Sequence, residues 1–174
     1  MTMARFSRVS EARYRMDLQE PEGALPLAEI PMPRRGTAGS AGYDFTCPVE
    51  TVIPAGETRM IPTGIRCEME AGWVLLILPR SSFGIRHGVR LANTTGVIDG
   101  DYAYADNEGH IQVPLRNPSD HEVVIGKGER FCQGVFVPFG TAEEDGEILE
   151  KRTGGFGSTG KNQYQVQQEG ACSE

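Results

Sequence analysis

From residue 41 onward the chain repeats one pattern: a short apolar run, then a break of glycine, proline or charge. The runs fall at 51–53, 58–65, 73–78, 88–92, 110–115, 122–125 and 131–139. Runs of about 4–8 residues, rich in valine and isoleucine and bounded by turn residues, read as strands of an all-β sandwich or barrel. Pro54-Ala55-Gly56-Glu57, Glu70-Ala71-Gly72 and Gly126-Lys127-Gly128-Glu129 supply turns between them. No long amphipathic helix interrupts the series. Residues 1–18 fit either one short helix or a strand with an extended arm, and 19–36, with Pro21, Pro26, Pro31 and Pro33, read as an extended connection. From 141 the chain turns acidic through Glu143, Glu144, Asp145, Glu147 and Glu150, then glycine-rich and polar. The expected division is a single β domain over 1–140 and a C-terminal arm over 141–174, mobile until a ligand or neighbouring subunit orders it.

Composition narrows the function. The 174 residues suffice for one domain with a real core and no staples. A formal charge of -7 disfavours a general nucleic-acid or membrane-surface binder, so a phosphorylated ligand would need local cations. The first 18 residues interleave Arg5, Arg8, Glu11, Arg13, Arg15 and Asp17 with apolar positions, unlike a signal peptide. No run approaches the roughly 18 apolar residues of a membrane span, and a cytoplasmic protein is expected. Cys47, Cys67, Cys132 and Cys172 are scattered without CxxC spacing, which favours reduced, buried thiols over metal ligands.

Four segments carry candidate chemistry. Arg152-Thr153-Gly154-Gly155-Phe156-Gly157-Ser158-Thr159-Gly160 could wrap N–H groups and hydroxyls around phosphate oxygens while the ring covers a base; the alternative is a plain flexible tail. Asn93-Thr94-Thr95-Gly96-Val97-Ile98-Asp99-Gly100-Asp101-Tyr102 reads as a tight hairpin. There Asn93 could match a pyrimidine's donor–acceptor edge, and Asp99 could take a proton from water or simply cap turn N–H groups. Pro79-Arg80-Ser81-Ser82 sets a guanidinium and two hydroxyls at a strand end, suited to phosphate or to an ordinary surface. Gly128-Glu129-Arg130-Phe131-Cys132-Gln133 puts Arg130 and Gln133 at the head of another strand.

Together with Ala41-Gly42-Tyr43-Asp44, these segments resemble the five ordered motifs of the homotrimeric dUTPases, the dUTP diphosphatases, over residues 34–160. The resemblance implies a single-domain β-barrel or jelly roll with a mobile glycine-rich C-terminal arm. It implies hydrolysis of dUTP to dUMP and pyrophosphate, which limits uracil in DNA and supplies dUMP for thymidylate synthesis. Asp99 would activate the water that attacks the α-phosphorus, and Arg80, Ser81 and Ser82 would contact the phosphates and stabilise developing charge. Asn93 and the backbone of Gly96, Val97 and Ile98 would read uracil. Tyr102 would pack on deoxyribose and leave no space for a ribose 2′-hydroxyl. Mg²⁺ would be gripped by the substrate phosphates, with Asp44 and Gln133 as outer-shell partners and no direct protein ligand. Phe156 would stack over uracil while Gly157, Ser158 and Thr159 close on the terminal phosphates. Each site would be assembled from three chains.

Two departures from the family pattern stand out. Lys151 occupies the position where the family's tail has arginine and Arg152 one where glycine is frequent; of the two, Arg152 has the fork that suits the γ-phosphate. After Tyr102 the family's short Arg-Gly-Glu connection is replaced by Ala103-Tyr104-Ala105-Asp106-Asn107-Glu108-Gly109-His110, as in certain bacterial and phage members. Its plainest reading is a surface elaboration, and it bears on how Gln112, just beyond it, reaches substrate. Two rival readings accompany the resemblance. One is a dUTP-responsive, phage-type regulatory protein with a protein partner, motivated by that loop. The other is a dCTP deaminase of the same fold, which ammonia release would reveal.

Overall fold

The computed structural model describes residues 3–18 and 22–143. Among the described residues twelve strands carry the architecture, with two short α-helices. The strands are β1 (Ala4–Arg8), β2 (Arg34–Arg35), β3 (Tyr43–Thr46), β4 (Thr51–Ile53), β5 (Thr58–Pro62), β6 (Ile65–Met69), β7 (Trp73–Pro79), β8 (Arg90–Leu91), β9 (Gly96–Ile98), β10 (Gln112–Arg116), β11 (Val123–Ile125) and β12 (Arg130–Pro138). The helices are α1 (Glu11–Leu18) and α2 (Ser81–His87).

The largest sheet has the order β2-β3-β12-β7-β9, and smaller ones pair β1 with β6, β11 with β4, and β5-β10-β8. Every recorded pairing is antiparallel. The sequence shows why. In β10, Val113 and Leu115 are buried while Arg116 is exposed, and in β11 Val123 and Ile125 are buried around an exposed Val124. That alternation is what a half-buried antiparallel strand requires. By contrast β7 is apolar throughout its first six residues and lies between β12 and β9, with both edges paired. Phe45, Phe131, Ile53, Leu75, Ile111 and Leu115 are among the largest fully buried side chains of one continuous core. Fully burying such side chains contributes about 1.5–3 kcal/mol each.

The N-terminal segment realises both readings in succession, a strand and then a helix. β1 pairs with β6 from Ala4↔Met69 to Arg8↔Ile65. Ser10 then caps α1, its Oγ accepting from Arg13 N (3.1 Å). Tyr14, the one buried residue of α1, donates its hydroxyl to Leu25 O (2.8 Å), and Leu18 packs against the core while Met16 is exposed. The helix is held by what it touches more than by an apolar stripe. Among the cysteines, Cys47, Cys67 and Cys132 are free and buried, as expected; Cys172 lies outside the described residues. No described helix is long and apolar enough to cross a membrane.

Candidate active site

Three motifs converge at one end of the largest sheet. Asp44 in β3 faces Gln133 of β12, and Gln133 faces Leu78 of β7. Asp44 is nearly buried and holds two cations: Oδ1 meets Arg80 Nε at 3.1 Å and Oδ2 meets Arg130 Nη1 at 3.1 Å. Arg80 is further fixed by its N–H to Phe131 O (3.3 Å) and its Nη1 to Arg130 O (3.3 Å). One carboxylate between two guanidiniums leaves a local excess of one positive charge, pre-arranged for an anion. A β-bulge between Arg130 and Cys132 brings the head of β12 into this position. Arg130, which the sequence reading set at a strand head without a role, is thus part of the cluster.

Arg80 stands just beyond β7, but the following serines do not extend the strand. Ser81, exposed, and Ser82, half-buried, open α2. The first backbone donors in that turn are Phe83 N and Gly84 N, both donating to Arg80 O (3.0 and 3.1 Å). First-turn N–H groups of a helix precede any intrahelical acceptor and can serve an outside one. Gln133 sends Nε2 to Pro79 O at 3.5 Å, a weak contact.

Asn93 to Tyr102 turns, but it is not the predicted hairpin. The flanking strands belong to different sheets: β8 pairs with β10, and β9 pairs with β7. The turn is closed by Thr94 N to Leu91 O (3.1 Å) and Thr95 N to Asn93 O (2.7 Å), with Thr94 at φ 69°. A β-branched residue in the left-handed region is uncommon, and such strain gathers at binding sites. Asn93 and Val97 are exposed, and Gly96 is half-buried against Ile77. Asp99 leads into a 3-10 turn over Gly100–Tyr104 and its side chain makes no capping bond there. It borders a cavity of about 530 Å³ lined also by Met69, Trp73, Asp101 and Phe139.

The loop after the turn is not a surface elaboration. Ala103, Ala105, Gly109 and His110 are buried, and Tyr102 is 6% exposed. The tyrosine hydroxyl donates to His110 O (2.9 Å) and accepts from Asn107 Nδ2 (2.7 Å). Gly64 N–H donates to His110 Nε2 (2.7 Å), so the ring proton sits on Nδ1, which meets Asp17 Oδ2 of α1 at 2.5 Å. Burial holds the His110 pKa below its ordinary value.

The single chain does not bring Asp99 and Arg80 together. Ile98 is opposite Leu75, so Asp99 lies near Val74 while Arg80 lies past the other end of β7. Six residues at roughly 3.3 Å each separate them by about 20 Å. Gln112 opens β10, on a different sheet from both groups. Arg152, Phe156, Gly157, Ser158 and Thr159, with Lys151, lie outside the described residues. Among the described residues no cluster of three or more His, Cys, Asp or Glu could hold a metal ion.

A jelly-roll body that offers a braced pair of guanidiniums at one sheet end and a turn-borne carboxylate at the other defines the class as a phosphate-handling β protein. Comparison with known proteins names the family within that class. The family model described as dUTPase matches residues 28–160. The deoxyuridine 5'-triphosphate nucleotidohydrolase of Lactococcus lactis subsp. lactis (strain IL1403) is 50% identical over 135 residues, 76% of this chain and 90% of that protein. The crystal structure of the Streptococcus mutans dUTPase aligns with a TM-score of 0.63 at 36% identity, covering 79% of this chain and 98% of that one. A dUTPase mutant from phage phi11 of S. aureus, described as coordinating a structural Mg(II) ion, shares the fold at 19% identity and a TM-score of 0.62, covering 86% of this chain and 98% of that one. The chain belongs to the dUTPase family.

Proposed function

We propose that this chain is a dUTP diphosphatase whose site forms between copies of itself. The observation that carries the shared site is the separation of about 20 Å between Asp99 and Arg80 along β7. Both residues match family motifs for one reaction centre, and no side chain spans that gap. A neighbouring copy that sets its Arg80 end against the Asp99 end of the first closes it, and the family's homotrimer supplies such neighbours.

In this reading Asn93 and the backbone of Gly96, Val97 and Ile98 receive uracil on one chain, with the Tyr102 ring against deoxyribose. Arg80, Ser81 and Ser82 of another chain, together with Gln133 and Gln112, align the phosphates. Asp99 takes a proton from water as its oxygen attacks the α-phosphorus, and the bond to the departing pyrophosphate breaks. Arg80, fixed by Asp44 before substrate arrives, meets the growing charge without reorganising. The donor set fits a metal carried by the substrate: each Asp44 oxygen binds one guanidinium and retains a lone pair for a metal-bound water. Asp44 and Gln133 would thus face, through water, an Mg²⁺ carried by the substrate phosphates, which would neutralise charge on the phosphate oxygens. By their match to the family's last motif, Arg152, Phe156, Gly157, Ser158 and Thr159, which lie outside the described residues, would complete the site. A dUTP substrate drawn from the nucleotide pool supports the expected cytoplasmic location.

Pyrophosphate release from dUTP, UTP, dCTP and dTTP tests the reading. Turnover confined to dUTP is expected, and equal turnover of all four, or none by a folded oligomer, refutes it. Asp99→Asn should lower kcat roughly 100- to 10,000-fold while a non-hydrolysable dUTP analogue still binds. The loop that motivated a regulatory role is half turned inward, with four of its eight residues buried.

A further inference from the structure

The family reading assigns Tyr102 a steric task, and the structure shows what holds that ring. Rejecting a ligand that differs by one added hydroxyl requires a wall that does not yield, because shape alone discriminates weakly against such an analogue. A ring packed only by van der Waals contacts can tilt by the few tenths of an ångström that admit an oxygen. Here the ring is anchored at its far end. The hydroxyl is gripped from two positions of the 103–110 loop, by Asn107 Nδ2 (2.7 Å) and by His110 O (2.9 Å).

The loop in turn is latched from behind by the N-terminal segment. Glu108 accepts from Ser10 N and Oγ, both at 2.7 Å, and His110 Nδ1 meets Asp17 Oδ2 at 2.5 Å. On the other side Arg66 of β6 donates to Ala103 O at 2.6 Å. Within the loop, Asn107 Oδ1 accepts from Gly109 N (3.2 Å), which aims its Nδ2 at the tyrosine. Residues 93 positions apart in sequence therefore share one bracing network, which reaches the Asp99 turn through Tyr102, whose N–H donates to Asp99 O (3.1 Å).

We infer that Asn107 and His110 are positioning residues for Tyr102, latched by Ser10 and Asp17 of the N-terminal segment, and that this bracing sets the preference for deoxyribose over ribose. The inference rests on the dUTP diphosphatase reading. The N-terminal segment is then part of the specificity apparatus without touching substrate.

The test uses the full chain with Mg²⁺ and reads kcat and KM for dUTP and for UTP in Asn107→Ala, Tyr102→Phe, their double variant and Asp17→Ala. The informative quantity is the ratio of the two kcat/KM values within each variant. A lower folded fraction reduces both substrates alike and leaves that ratio unmoved. Asn107→Ala, which removes one hydrogen bond, should lower the ratio roughly five- to tenfold, and Tyr102→Phe, which removes two, by at least as much, with the change mainly in KM. The double variant should be no worse than the poorer single one, and Asp17→Ala should shift the ratio the same way by less. An unchanged ratio in Tyr102→Phe, or full additivity in the double variant, overturns the inference while dUTP turnover by the unaltered chain upholds the reading beneath it. An unchanged ratio in Asp17→Ala alone overturns the part assigned to the N-terminal segment. An unaltered chain that leaves dUTP intact overturns the reading and the inference with it.

Discussion

Gly109 and Gly56 offer a matched pair for weighing the packing of the 103–110 loop. Both have φ 69°, so alanine at either pays the same left-handed strain, about 1–2 kcal/mol. Gly56 sits in the turn closed by Glu57 N to Pro54 O, and a Cβ there would meet nothing within 4 Å. At Gly109 the added carbon would lie 2.5 Å from Ala103 Cα and 2.8 Å from Tyr102 O. Both neighbours are backbone, so relief requires moving the 3-10 turn itself, and such overpacking costs roughly 1–3 kcal/mol more. Gly109→Ala should therefore lose about 2–5 kcal/mol against about 1–2 for Gly56→Ala. At about 2–4 °C per kcal/mol for a chain of this size, the two melting temperatures should differ by roughly 2–12 °C when measured at one protein concentration and scan rate. Because the displaced atom is Tyr102 O, Gly109→Ala should also lower dUTP-over-UTP preference, which Gly56→Ala should leave alone. Equal losses at the two sites would refute the claim that the loop is packed against the turn.

Asp44→Asn should lower stability by about 2 kcal/mol, less than breaking a fully buried pair because Arg130 is 53% exposed, and should raise KM for dUTP as Arg80 loses its brace; urea titration and steady-state kinetics check both. Acid should loosen the N-terminal latch at two contacts. His110, faced by Asp17 and Arg13 of α1 and by Glu108, has its pKa depressed below 6.5 by burial, so its contribution is complete above that value and falls as pH drops through it. Glu108, lowered chiefly by the Ser10 hydrogen bonds, contributes stability that is present above its ordinary value and lost as pH falls, and hydrogen exchange across residues 10–17 and 106–110 should speed relative to the free-chain rate as acid is added. Cys47, Cys67 and Cys132, with thiols pushed up by burial (Cys67 to about 12), should resist iodoacetamide at about pH 8 in the native protein and react after denaturation, as peptide mapping would show.

Local pattern made much of the body legible. Thr51-Val52-Ile53 coincides with β4, and the 73–78 and 131–139 runs mark β7 and β12 to within a residue. The run at 58–65 conceals two strands, because Thr63 and Gly64 interrupt the backbone without interrupting burial. β3 was visible only as a motif, since Tyr43-Asp44 places a carboxylate where alternation expects nothing informative. α2 escaped because Ser-Ser-Phe-Gly-Ile-Arg-His has weak helix formers and just seven residues, with Gly88 ending it at φ 64°. The supposed hairpin failed on a tertiary matter: β8 and β9 find better partners in separate sheets. The Asp17–His110 contact had no local signal at all, since its two halves are 93 residues apart.

The bulge in β12 has a consequence for how such a site is written in sequence. Arg130 pairs with Thr46 and Gln133 with Asp44, so three steps along β12 answer two along β3. On a regular strand, positions three apart point to opposite faces. The extra residue, Phe131, absorbs the odd step, sinks its own ring into the core, and returns Arg130 and Gln133 to the side on which Asp44 lies. The spacing Arg-x-x-Gln is thus an error under strict alternation that the backbone corrects. Straightening the bulge with every residue kept would turn Arg130 away from Asp44, whereas deleting Phe131 would leave Arg130 and Gln133 two apart on one face but remove a ring from the core, so the bulge lets one stretch of chain fill the core and still present its cation to the carboxylate.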